Sequence, residues 1–342
     1  ESSAYEMTNA AEVNSLGTKE KTELAESPST SSEILQMLAA DENRFVRNAA
    51  TRSLQIQALP AEFHSQSTIE VAGNVQVTDN TSVLEFFMQS KEWRLREAVA
   101  LNVHCKPEMI GVLQEDRNDA VKDALWRRES LDDPWNTLGR LELTDRLTTT
   151  ACEEIVLETL LNSRLPDIRK AIAASPSVTD RLLQLLLQDK DEGVRASAAE
   201  SQLPAEIRQK EVTEVVAMIR NGAVARDVLS LLTYSSNPEV LASCVLSESI
   251  PESDLKRLLV DRRISSFQKY RRELPTELRW ASEQEVMKRV QSGPLPEGVL
   301  EKLARLADWP ELQQEIAMLT DCPKEIIRIL SSSSNNSVAE AA

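Results

Sequence analysis

Cations interleaved with aromatic rings are the groups in this chain best placed to do chemistry. The segment DRRISSFQKYRRELP, Asp261 to Pro275, sets Arg262, Arg263, Lys269, Arg271 and Arg272 around Phe267 and Tyr270. Such groups suit phosphates and stacked bases, or the carboxylates of an acidic peptide. The competing reading is a solvated helix whose cations balance the acidic remainder of the chain or lock against its own carboxylates. Trp135, in the irregular DDPWNTLGR, joins the candidate partner-binding set as an aromatic anchor. Adjacent His104 and Cys105 raise thiolate catalysis or metal binding. Neighbours in sequence need not meet at the thiol, however, and no second ligand follows at metal spacing. Phosphate-loop, dinucleotide, nucleophile-elbow and zinc-helix motifs are absent. The expectation is therefore no catalytic residue, no metal and no cofactor.

The elements that would position these groups announce themselves by repetition. Asp41 to Arg47 reads DENRFVR, Asp116 to Lys122 reads DRNDAVK, and Asp189 to Arg195 reads DKDEGVR. In each, an acid precedes a cation by six residues. One spacing in three copies predicts a structural ladder, Asp41/Arg47, Asp116/Lys122 and Asp189/Arg195, in which Asp caps the following helix and the cation reaches the neighbouring unit. Around the phrase, two segment types alternate. One is small, as in Val46–Ala50, Leu95–Val99 and Val194–Ala198, with apolar residues at i, i+3 and i+4 of a helix. The other carries leucines: Leu35 and Leu38, Leu182 and Leu186, Leu255 and Leu259. Thr30-x-x-Glu33 and Ser177-x-x-Asp180 have capping-box spacing at its start, and CKPEMIGVL (Cys105 to Leu113) matches CPKEIIRIL (Cys322 to Leu330). The register is 26 residues from Leu95 to Val121 and again from Ile168 to Val194. A unit that short cannot bury its apolar face alone, so neighbours must stack.

The stretches Ile168 to Ala199 and Leu295 to Leu312 resemble the leucine-rich repeat variant family. That resemblance implies units of roughly 24 residues alternating an α-helix with a 3₁₀ helix in a right-handed superhelix, and binding rather than a reaction. The Asp-then-Arg spacing also resembles HEAT repeats, which are longer. The expected fold is thus an all-α, right-handed α-solenoid of short helical repeats over residues 27–330, irregular at 53–79, 129–150 and 261–292. Residues 1–26 and 331–342 read as flexible tails, because they are polar and lack an apolar stripe.

Composition narrows the function classes. Eight glycines in 342 residues argue against a β-rich or dinucleotide-binding fold, and 4% aromatics suit thin Leu/Val/Ala layers. A net charge of −16 disfavours a surface that tracks duplex nucleic acid and favours a protein or cationic partner. Charge is uneven: ten Lys/Arg face five Asp/Glu between Lys256 and Arg289. Cys105, Cys152, Cys244 and Cys322 are isolated, as core or turn thiols are. With no membrane-length apolar run and no visible signal peptide, a cytoplasmic location is expected. These observations point to a non-catalytic scaffold binding a protein through its concave surface. The alternative is nucleic-acid binding or DNA-base chemistry through 262–272, since some HEAT-like families are DNA glycosylases.

Overall fold

A computed structural model describes residues 10–342 apart from 65, 66 and 297. The described residues form 26 α-helices and one 3₁₀ turn at Ala61–Phe63, with no strand. The alternating partner that the family resemblance makes 3₁₀ is therefore α-helical elsewhere. Contacts divide the chain into two compact units, residues 1–168 and 169–342. No helix among the described residues is long and apolar enough to cross a membrane.

Within the first unit, helices of like type stack on one another. Thr18–Glu26 packs on Arg44–Gln57, and Thr68–Val77 packs on Trp93–Leu101, which packs on Asp119–Ser130. The leucine-bearing helices Thr81–Met88 and Pro107–Gln114 form the second layer. The core between the layers runs from Phe63 through Val75, Leu84 and Val99 to Leu113 and Ala124. In the second unit Val212–Arg220 stacks on Pro238–Leu246, and Glu283–Gln291 on Pro310–Ala317. Alanine at buried positions such as Ala98, Ala124 and Ala198 lets successive helices approach closely.

The three aspartates pair with cations from the preceding unit and not with the cation six residues on. Asp116 takes both oxygens' worth of the preceding unit's Arg96, which donates from Nε at 2.6 Å and Nη2 at 3.0 Å. Asp189 accepts from Arg169 in the same way, at 2.6 and 2.9 Å, and Asp41 accepts from Lys21 Nζ at 2.8 Å. Each cation lies 20 residues before its acid. The later cation of the phrase folds back on its own turn. Arg47 Nη1 donates to the Asp41 carbonyl at 2.7 Å, and Arg195 Nη1 to the Asp189 carbonyl at 2.7 Å. Arg96 does likewise to the Ser90 carbonyl, so it closes its own turn and grips the next. Lys122 stands near Asp116, whose carboxyl its charge helps hold down.

Nor is the aspartate the helix cap. Its Oδ1 accepts the N–H two residues on, from Asn43, Asn118 or Asp191, and that residue then caps the helix with its own side chain. At the other helix ends, a side chain from the following unit supplies a donor to a terminal carbonyl. Ser53 Oγ donates to Ala25, Asn102 Nδ2 to Val75, and Ser201 Oγ to Ala173. The Thr30 capping box is also displaced by one residue: Ser31 caps the helix, and the Thr30 hydroxyl donates to the Leu24 carbonyl.

Both stretches read as tails carry helix. Thr18–Glu26 buries Ala25 and supplies the first ladder cation, Lys21, while Val13 is buried just before it; residues 1–9 lie outside those described. At the other end Ser333 and Asn335 build a turn and cap, and the helix Asn336–Ala341 buries Val338. Sparse apolar residues hid the first, and the second hid because four serines are turn chemistry here, not low-complexity filler. The irregular stretches are likewise helical: Thr68–Val77, Arg140–Thr149, and Ser266–Arg272 with Glu283–Gln291.

Burial alone would push the Asp116 and Asp189 carboxyls up. Hydrogen bonds from Arg96 and Arg169, the N–H two residues on, and the charge of the same arginines outweigh it, so both titrate below the usual carboxylate range. Their contribution is therefore complete above about pH 4 and is lost as pH falls through the lowered folded values. Asp189→Ala is expected to cost about 2–4 kcal/mol in urea unfolding, because it removes the carboxylate that accepts two hydrogen bonds from the nearly buried Arg169. Asp189→Asn should make the acid-induced loss of stability visibly shallower than in the unaltered chain.

Candidate functional site

The basic segment is mostly spent on the fold. Arg263 donates from Nε and Nη2 to Asp261, from Nη1 to the Ser235 carbonyl, and pairs with Glu192. Arg272 Nη1 closes the helix Pro238–Leu246 by donating to the Leu246 and Ser247 carbonyls at 3.2 and 2.5 Å. Arg271 lies over the rings of Phe267 and Trp309, at 5.3 and 4.9 Å, and donates to the Ala281 carbonyl. Burial pushes its guanidinium below the ordinary arginine value, with the Arg220 charge acting the same way. Tyr270 packs against the apolar cluster around Trp309. Lys269 is half-buried and Arg262 exposed. Asp261 accepts the Arg263 N–H as the ladder aspartates accept theirs. Trp135 is half-buried in the turn after the cis Asp133–Pro134 bond.

Cys105 Sγ is directed at the Lys106 carbonyl, 3.9 Å away. Cys105 is buried, which raises its thiol above the ordinary value, and the His104 backbone is held by Asn102 Oδ1. Burial pushes the Cys244 thiol up to about 12. Among the described residues no group of His, Cys, Asp and Glu is arranged to hold a metal ion.

Sequence reasoning missed three charges in the first unit. Arg127 is fully buried, Asp123 is fully buried, and Glu97 is 6% exposed. Asp123 and Arg127 lie four apart on the helix Asp119–Ser130 and so share a face. Arg127 Nε donates to Asp123 Oδ2 at 2.9 Å, Nη1 to the Leu138 carbonyl at 2.7 Å, and Nη2 to Glu97 Oε1 at 3.3 Å. Asp123 Oδ1 accepts from Ser163 Oγ and the Arg164 N–H. Glu97 Oε1 also accepts the Arg140 N–H, an otherwise orphaned donor at the start of the helix Arg140–Thr149. Two carboxylates share one guanidinium, leaving one excess negative charge in a buried site. Burial accordingly raises the Glu97 carboxyl above the usual range, against the pull of Arg127 and Arg140.

The excess charge borders a cavity of about 250 Å³ between the helices Thr68–Val77, Trp93–Leu101 and the start of Arg140–Thr149. Trp93, one turn before Glu97, forms a wall, with Arg94 at 4.9 Å and Arg140 at 5.7 Å from its ring. Ile69 and Leu141 stand at the cavity 68% and 60% exposed. Gly73 also lines it, and a Cβ added there would meet nothing within 4 Å. The signal available in the sequence was the 26-residue register, which aligns Glu97 with Asp123 directly after a ladder cation in each case.

No family model matches the sequence, and no curated protein is found similar to it.

Arg127→Met leaves Glu97 and Asp123 buried without their counter-charge and is expected to cost about 3–5 kcal/mol in denaturant unfolding. Gly73→Ala should add about 0.5–1 kcal/mol, since the helix gains propensity and nothing clashes. In the basic segment, Arg271→Ser and Arg272→Ser should each lower the thermal midpoint, while Arg262→Ser leaves it unchanged. Equal effects of all three would contradict the division between clamping and exposed arginines.

Proposed function

We propose that this chain is a non-catalytic helical-repeat scaffold, of the leucine-rich repeat variant or HEAT-like kind, that binds a protein partner. One observation carries the reading. Ile69, Leu141 and the half-buried Trp93 converge at the rim of one cavity, and large apolar groups gathered on an otherwise acidic surface mark an interaction site. The ladder and capping side chains, by contrast, are consumed inside the repeats. The partner contact therefore moves from the basic segment toward the first unit, with Arg262, Lys269 and Trp135 left as secondary contacts. Nucleic-acid recognition through 262–272 gains no support, because Arg263, Arg271 and Arg272 are committed to carbonyls, rings and carboxylates of the protein itself.

The test is a pull-down with the full chain as bait, after nuclease treatment, followed by reconstitution with the retained protein. A single protein is expected to rebind in a fixed ratio, and Ile69→Ser with Leu141→Ser should weaken that complex by more than roughly tenfold without lowering the thermal midpoint. Turnover of a substrate in a broad hydrolase and lyase screen, with no protein retained, would contradict the reading.

A further inference from the structure

We propose that the Glu97 cavity is the anchor for one lysine side chain of the partner protein. This deepens the protein-binding reading and rests on it.

Charge comes first. Glu97, Asp123 and Arg127 are each more than nine-tenths buried and sum to one negative charge, which the Arg140 guanidinium, itself paired with Asp167, offsets only in part; Arg94 at the same cavity is paired with Glu92. Asp123 is satisfied on both oxygens, so the excess falls on Glu97. Of its two oxygens, Oε1 accepts from Arg127 and from the Arg140 N–H. Oε2 accepts nothing among the described residues, yet it is not among the sealed, unpartnered atoms, which are Asn136 Oδ1, Arg271 Nε, Arg279 Nε and Gln313 Oε1. Glu97 lines the cavity, so Oε2 is the oxygen left to face an entering donor there. A buried carboxylate oxygen without a donor is costly, and a cation entering the cavity completes the set.

Shape and chemistry select which cation. Arginine gains most from a carboxylate when its fork meets both oxygens, whereas an ammonium is a point charge satisfied by one. With Oε1 occupied, only one is offered. About 250 Å³ lies below the usual range for a drug-sized ligand and suits a single side chain. The apolar walls formed by Trp93, Ile69 and Leu141 match a four-carbon stem that runs through apolar surroundings to a charged end. A free amine would leave exposed Ile69 and Leu141 uncovered, while a peptide chain places flanking residues on them. The net charge of −16 favours approach of a basic segment.

The probe is acetyl-Leu-Lys-Leu-amide, titrated into the full chain while the Trp93 indole resonance is followed. Norleucine and arginine versions of the tripeptide and free lysine amide serve as comparisons. Saturable shifts of Trp93 are expected for the lysine tripeptide, with affinity at least roughly tenfold above each comparison. Glu97→Gln keeps an acceptor for Arg127 but removes the charge, and should lose at least roughly tenfold in affinity. Gly73→Phe fills open space on an exposed helix face, so it should block the cavity with the thermal midpoint retained. The proposal is overturned if Gly73→Phe binds the peptide normally, if the norleucine version binds equally, or if free lysine amide matches the tripeptide. Should Gly73→Phe still rebind the pulled-down partner at full affinity, the scaffold reading stands and the lysine anchor falls. If no partner is retained by the unaltered chain, the scaffold reading itself falls.

Discussion

A turn between two helices leaves backbone donors and acceptors that no helix satisfies, and in this chain one carboxylate answers for much of each turn. Asp41, Asp116 and Asp189 each take a main-chain N–H within the turn and a cation from the unit before. The carbonyls of the same turns at Asp41 and Asp189 are closed by an arginine six residues on. Local turn geometry and contact between successive units are thereby tied to the same side chain. With units this short, apolar burial between neighbours is thin, so a charge-assisted contact at Asp41, Asp116 and Asp189 helps fix the register in which the alanine faces meet there. Asp189 and Arg169 are both largely buried, which keeps the pair from being a freely solvated and therefore weak surface bridge.

The same logic accounts for the basic segment. Arg272 and Ser201 perform one task, donating to the last carbonyls of a helix in the preceding unit, although one is charged and the other is not. Arg271 covers two rings, Phe267 and Trp309, that touch each other edge-to-face. Against that background the charges around Glu97 stand apart. They are buried and do not balance, and one of them, Glu97, borders a cavity. A ladder aspartate is matched by its cation; Glu97 shares its cation with Asp123.

The helical class was legible because Gly is scarce and apolar residues recur at i, i+3 and i+4. The repeat was legible in the DENRFVR, DRNDAVK and DKDEGVR phrases. Their direction was not, because a six-residue spacing around a turn says only that two side chains share that turn. Lys21 and Arg96, the cations that reach Asp41 and Asp116, lie in stretches that carry no copy of the phrase. The arginines at 263 and 272 looked solvated because the carbonyls they meet are distant in sequence: Ser235 is 28 residues from Arg263 and Leu246 is 26 from Arg272. Glu97 and Asp123 sit where periodicity expects a polar face. They are buried because the neighbouring helices of the first unit cover that face, which no local pattern records.

A double-mutant cycle on Arg96 and Asp116, read by equilibrium unfolding, bears most directly on the claim that the carboxylate couples one unit to the next. Each single alanine variant is destabilised, and the ladder account predicts that the double variant loses far less than the sum, with a coupling energy of about 1.5–3 kcal/mol. A coupling near zero, with the single effects simply adding, would mean that Asp116 supports its own turn and Arg96 its own, and that the stack is held by alanine and leucine packing alone.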